Sequence, residues 1–162
     1  MSFSRSRITV LALVIALLVA AVPAFAQDII PGAQPTYGTV SLSAGFVPDP
    51  YEIGITSGGS VSARIALGSE CAGYINDVPD FNIRWSGSTS DLFIGFTSDY
   101  SSDDTTLVVR TPSGFYWCSD DAYGLDPEVW LAYPAAGTYQ VWVGSYSSGE
   151  FNPGVLYVSE IG

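Results

Sequence analysis

Seven carboxylates crowd the stretch Asp99–Glu128: Asp99, Asp103, Asp104, Asp120, Asp121, Asp126 and Glu128. The stretch carries one cation, Arg110, and the whole chain has neither histidine nor lysine. Carboxylates held close together resist ionising unless a positive charge joins them. A divalent cation is the simplest missing partner. Calcium accepts about six to eight oxygens at spacings that flexible loops satisfy, whereas magnesium demands stricter octahedral geometry. Calcium in a structural role is therefore the expected cofactor. The spacing of an EF-hand loop is absent.

These acids need elements to bring them together. Thr111-Pro112-Ser113-Gly114 suits a type I turn, with Pro second and Gly fourth. It would join a strand over Asp104–Arg110 to one over Phe115–Cys118. If Arg110 pairs with Phe115, counting places Leu107 opposite Cys118 and Asp104 opposite Asp121. Like charges directly opposite destabilise a sheet. Asp103 and Asp120 flank that pair, and the loop carrying Gly124 and Asp126 is able to curl over it. Asp104, Asp120, Asp121 and Asp126 are the candidate metal ligands. The alternative is that these acids cap turns and solvate loops, as Asp commonly does. A register slip of one residue would separate Asp104 from Asp121.

Other chemistry is poorly provided for. Without histidine there is no Ser-His-Asp or Cys-His mechanism, and without lysine no Schiff base. Asp104-Thr105-Thr106 lacks the glycine of the aspartic-protease D-T-G. Paired carboxylates can hydrolyse glycosides, but among sixteen acids some pair at a suitable distance arises by chance. The chain is expected not to be an enzyme. Aromatic residues cluster in the second half, including Trp117, Trp130 and Trp142. Exposed rings stack on sugars and anchor protein interfaces; buried ones fill a core. Strand phase points Trp117 and Trp142 away from neighbouring core positions, making them the surface candidates for ligand binding.

Residues 1–26 read as an export signal: Arg5 and Arg7, the apolar run Val10–Val22, then Ala24-Phe25-Ala26 as a cleavage site. That run is short for a membrane span, and no longer one follows. Cleavage leaves Gln27–Gly162, roughly 136 residues, enough for one domain with a real core. Three arginines then face sixteen acids, a formal charge of about −13. Such a surface repels nucleic acid and anionic lipid and suits a secreted, extracellular protein of bacterial type. In an oxidising compartment Cys71 and Cys118 read as one disulfide.

Pro31, Gly32 and Pro35 make Gln27–Tyr37 an extended arm. Beyond it lie ten candidate strands: Gly38–Ser43, Tyr51–Thr56, Ser60–Leu67, Phe81–Ser86, Asp91–Thr97, Asp104–Arg110, Phe115–Cys118, Val129–Tyr133, Thr138–Ser145 and Gly154–Ser159. Period-two alternation marks half-buried strands: Leu92, Ile94 and Phe96 share one face, as do Tyr139, Val141 and Val143. No helical period is sustained. The fold class is all-β, a single antiparallel β-sandwich over 38–162.

The run Asp104-Thr-Thr-Leu-Val-Val-Arg-Thr-Pro-Ser-Gly, then Cys118-Ser-Asp-Asp, Gly124-Leu-Asp-Pro and Pro134-Ala-Ala-Gly-Thr-Tyr-Gln-Val-Trp-Val-Gly resembles the bacterial pre-peptidase C-terminal domain. The resemblance covers roughly Phe81–Tyr146. It implies a secreted jelly-roll-like β-sandwich, and some members of that family bind calcium. By it, Asp104, Asp120, Asp121 and Asp126 are the positions to carry over as cation ligands.

The expected function is a secreted, non-enzymatic, calcium-stabilised β-sandwich for binding or adhesion, with an extracellular glycan or protein as partner. Two other readings stand beside it. One is a structural subunit, a homo-oligomer whose arm adds a strand to a neighbour's sheet. The other is a carbohydrate-binding module working through Trp117 or Trp142.

Overall fold

The computed structural model describes residues 28–162, so the expected export signal lies outside the described residues. Two sheets pack face to face. The first runs β1(Thr39–Ser43)-β5(Phe81–Ser86)-β10(Gly137–Ser145)-β7(Thr105–Arg110)-β8(Tyr116–Ser119), with a small ribbon of β3(Val61–Ser62) and β4(Tyr74–Ile75) joined at the end of β10. The second runs β2(Tyr51–Thr56)-β11(Pro153–Ser159)-β6(Asp91–Ser98)-β9(Glu128–Ala132). All pairings are antiparallel except β1 with β5, which is parallel and departs from the expected wholly antiparallel sandwich.

The alternating residues do what their period requires. Leu92, Ile94 and Phe96 of one sheet meet Tyr139, Val141, Val143, Leu107 and Val109 of the other in the main core. A second core lies on the far side of the first sheet. There Val108 and Trp142 pack against Val61, Ala63, Cys71 and Ile75. The cover comes from a segment expected to be a strand over Ser60–Leu67. Instead Val61–Ser62 is a two-residue strand, followed by a single helical turn, α1(Ala63–Leu67). Alanine and leucine are strong helix formers, and Gly68 at φ 118 stops the turn. Cys71 and Cys118 form a disulfide with Cα atoms 5.2 Å apart, tying this cover to β8.

The N-terminal arm lies along its own domain. Ile30 N–H donates to Asp77 O at 2.6 Å, Thr36 N–H to Pro79 O at 3.0 Å and Tyr37 N–H to Asp80 O at 2.8 Å. Ile29 packs on the second core. An arm held at these points is not free in this conformation to pair with a neighbour's sheet.

Asp80 explains how β10 is completed between β5 and β4. Beyond Val141, the partner strand β5 has ended. Val143 N–H donates instead to Asp80 Oδ2 at 2.8 Å, and the Asn76 amide donates to Asp80 Oδ1 at 2.8 Å. The carboxylate stands in for a missing strand. Its burial outweighs those two hydrogen bonds and pushes its pKa from 3.8 up to about 7. The fold therefore favours the neutral acid. Asp80 contributes most to stability below about pH 4, and that contribution is lost as pH rises towards about 7. The expected result is that the difference in melting temperature between wild type and Asp80→Asn shifts across this window, moving in favour of the variant at the upper end. A difference independent of pH would overturn the assignment.

Candidate functional site: an aromatic cleft and an acidic loop cluster

The β7–β8 hairpin carries a feature at each end. Its turn differs from the expected one. Gly114 N–H donates to Thr111 O at 2.9 Å, and Thr111 N–H donates to Phe115 O at 2.8 Å. Thr111 thus pairs with Phe115 across a three-residue loop, and Gly114 at φ 92 occupies the left-handed position such loops need. This bulge shifts the register by one. Arg110 pairs with Tyr116, Val108 with Cys118 and Leu107 with Ser119, where the ladder ends. The expected pairing of Asp104 with Asp121 is therefore corrected: the two do not face each other on the sheet.

The loops still bring three of the acids into one field. Asp104 has its pKa raised first by burial and then by the charges of Asp121, Asp120 and Glu150. Asp120 is raised by burial and by Asp121. Asp104 Oδ1 and Asp120 Oδ1 are shielded from solvent and have no hydrogen-bond partner. Asp126 is engaged elsewhere, its Oδ1 accepting Ser98 N–H at 3.1 Å. Glu150, from the loop between β10 and β11, was not among the expected acids, since nothing in its spacing links it to the hairpin. No group of three His, Cys, Asp or Glu side chains among the described residues is arranged around one point to hold a metal.

The turn end opens into a cleft of about 400 Å³ between the edge strands β8 and β9. Trp117 and Trp130 form walls and the exposed Tyr133 the lip, and Pro112, the buried Pro134 and Tyr139 line it further. Trp117 is 54% exposed, Trp130 57% and Tyr133 82%. The expected outward phase of Trp117 is corrected: by the shifted register it shares the face of Val109, a main-core residue. It stays exposed because β8 is the edge strand. Trp130 follows the alternation of β9, in which Val129 and Leu131 point inward. That alternation was legible in Glu128–Ala132 and would have named Trp130. Its indole N–H donates to Asp91 Oδ1 at 2.8 Å, which fixes the ring's orientation, and Ser90 Oγ–H donates to Asp91 Oδ2. The two hydrogen bonds, Ser90 first, hold Asp91 below the usual carboxylate pKa, so it stays ionised. Tyr133 sits at φ 49, a left-handed conformation uncommon for a bulky residue. Its N–H donates to Ser90 O at 2.8 Å. The hydroxyl of Tyr139 donates to Ala135 O at 2.8 Å, bracing the lip from below.

Trp142 is corrected. It is fully buried. Its phase is as expected, away from Tyr139, Val141 and Val143, but the outer face it points to is covered by the segment that holds α1 and Cys71. It packs there against Tyr116, with ring centroids 6.3 Å apart.

No family model and no curated protein matches the chain. Among solved structures, the chain is similar to the pre-peptidase C-terminal domain of collagenase from Bacillus anthracis, with 14% identity over 78% of this chain and 98% of that chain, at a TM-score of 0.40. It is also similar to a periplasmic lysozyme inhibitor of g-type lysozyme from Aeromonas hydrophila, with 14% identity over 78% of this chain and 98% of that one, at a TM-score of 0.41.

Proposed function

We propose that this chain is an exported, non-catalytic binding module whose ligand surface is the cleft between β8 and β9. The observation that carries this reading is the exposure of two tryptophans and a tyrosine around one concave site. Isolated apolar residues on a surface are ordinary, but rings gathered at a cleft with a left-handed tyrosine at its lip fit a ligand clamp. The disulfide fits an oxidising compartment. No described helix is long and apolar enough to cross a membrane. The lack of histidine and lysine removes the commonest general base and the Schiff-base nucleophile. The surface is tested by following the Trp117 and Trp130 indole N–H signals on addition of ligand: both should shift, and binding that leaves both unmoved would overturn the assignment.

A calcium ion bracing the loops is the companion proposal. Asp104, Asp120 and Asp121 are not arranged around one point as they stand, but they would supply hard oxygen donors if the loops drew together on an ion, and the unpartnered oxygens of Asp104 and Asp120 support this. Backbone carbonyls, water or the nearby Glu150 would complete the shell. A bound cation would remove the mutual repulsion that raises Asp104 and Asp120. Calcium is expected to raise the melting temperature and EDTA to lower it, with the response gone in Asp104→Ala. Superimposable melting curves with calcium and with EDTA would sink the idea. The proposed ligand Asp104 precedes the strand at the open end of the hairpin, six strand residues from the turn, or roughly 20 Å, so an ion there would lie far from the cleft. Its role is therefore to hold the loops and not to touch a ligand in the cleft.

A further inference from the structure

Resting on the reading of the cleft as a ligand surface, we infer that its ligand is a neutral saccharide presenting an apolar pyranose face. The lining of the cleft carries no charged residue. Burying an ammonium, carboxylate or sulfate there would cost desolvation without a counter-charge. The protein's formal charge of −11 over the full chain further opposes anionic glycans. What the cleft does offer is aromatic surface and hydroxyls. Trp117 and Trp130 line it from the edges of two different sheets. Ser113 places a hydroxyl beside Pro112, held at 2.9 Å by the hydroxyl of Thr111, which is itself buried and engaged by the Phe115 backbone.

The walls are also the free edges of β8 and β9, which carry backbone carbonyls outside the ladders. A ligand that satisfies this site needs a flat apolar face and, around its rim, groups that both donate and accept. A pyranose with equatorial hydroxyls has axial C–H groups on its faces and hydroxyls at its edge. A proline-rich peptide has apolar rings too, but its prolines have no donor to give the strand edges. A quaternary ammonium would gain from the rings, but the carboxylate beside Trp130, Asp91, lies outside the lining and is already engaged by the Trp130 indole N–H and the Ser90 hydroxyl. The volume, about 400 Å³, lies within the range of small-molecule clefts. Trp130 is held in place by Asp91, so its ring is positioned before a ligand arrives.

The experiment follows the indole N–H signals of the protein by NMR while it is titrated with neutral hexasaccharides: β-1,4-glucan, β-1,3-glucan, β-1,4-mannan and chitohexaose. Polygalacturonate, choline and decaproline are titrated in parallel. The expected result is that at least one neutral hexasaccharide shifts the signals of Trp117 and Trp130, leaving those of the buried Trp85 and Trp142 in place. Trp117→Ala and Trp130→Ala should each weaken binding by about tenfold or more, while Trp117→Phe retains part of it. Both alanine variants should keep the wild-type near-UV signature of a folded core. Choline, decaproline or polygalacturonate shifting those signals where no neutral sugar does would overturn the saccharide and leave the cleft standing as the ligand surface. Sugar binding that survives both alanine substitutions would place the site elsewhere and overturn the cleft as well. No shift with any probe would count against both.

Discussion

Trp142→Ala is expected to lower the unfolding free energy by about 3–5 kcal/mol, the usual cost of removing a large aromatic side chain from a packed core. Trp142 has no exposed surface. It touches a cluster that contains Val61, Ala63, Cys71, Ile75 and Val108, and Tyr116 packs against it. Its indole N–H has no hydrogen-bond partner, so the residue stabilises by packing alone. Trp142→Phe should recover much of the loss, because it refills most of the space and removes a buried donor. Denaturant unfolding measures both. A surface tryptophan would change stability by less than about 0.5 kcal/mol. A value that small for Trp142→Ala would show that the second core does not exist.

Removal of the disulfide is the companion experiment. The bond closes a separation of 47 residues, for which the chain-entropy model gives roughly 4 kcal/mol. The double replacement of Cys71 and Cys118 by serine should therefore lower stability by an amount similar to Trp142→Ala. Hydrogen exchange adds a local readout. The amides of 61–75 should lose protection before those of the main core, because that segment covers the outer face of the first sheet and the disulfide ties it there. Uniform loss across both cores would contradict a locally held cover. Cys71 and Trp142 share one cluster, so combining the two changes should cost less than the two costs added together. Additive losses would show that the cover is not one cooperative unit.

The strands were legible because their signals are local. Leu92, Ile94 and Phe96 recur at every second position between Asp91 and Thr97, and Pro112-Ser113-Gly114 marks a turn whatever surrounds it. Even Trp130 was written into the alternation of Glu128–Ala132. The stretch Ser60–Leu67 misled because its apolar residues are too few to separate one helical turn from a strand by period. Tyr74–Ile75 was missed because two residues carry no period at all. The hairpin was recognised but its register was not: the same turn sequence closes as a four-residue turn or as three residues with a glycine bulge. That one step moves Asp104 off Asp121 and places Val108, not Leu107, opposite Cys118.

By itself the sequence determined an all-β domain, the boundaries of nine of its strands within about a residue, the disulfide between its two cysteines and the crowding of acids around one hairpin. Those properties depend on neighbours along the chain or on having a single way to pair. Only the tertiary structure decided which faces see water. Trp117 and Trp142 were both expected to point outward, yet Trp117 lies on the core face of an open edge strand and stays exposed, while Trp142 points outward and lies buried beneath α1 and Cys71. Asp80 and Asp104 are both aspartates beside a strand. One is sealed into the edge of β10 and the other shares its field with acids from two other loops. Alternation tells which way a side chain points, whereas burial depends on whatever distant segment packs over that face.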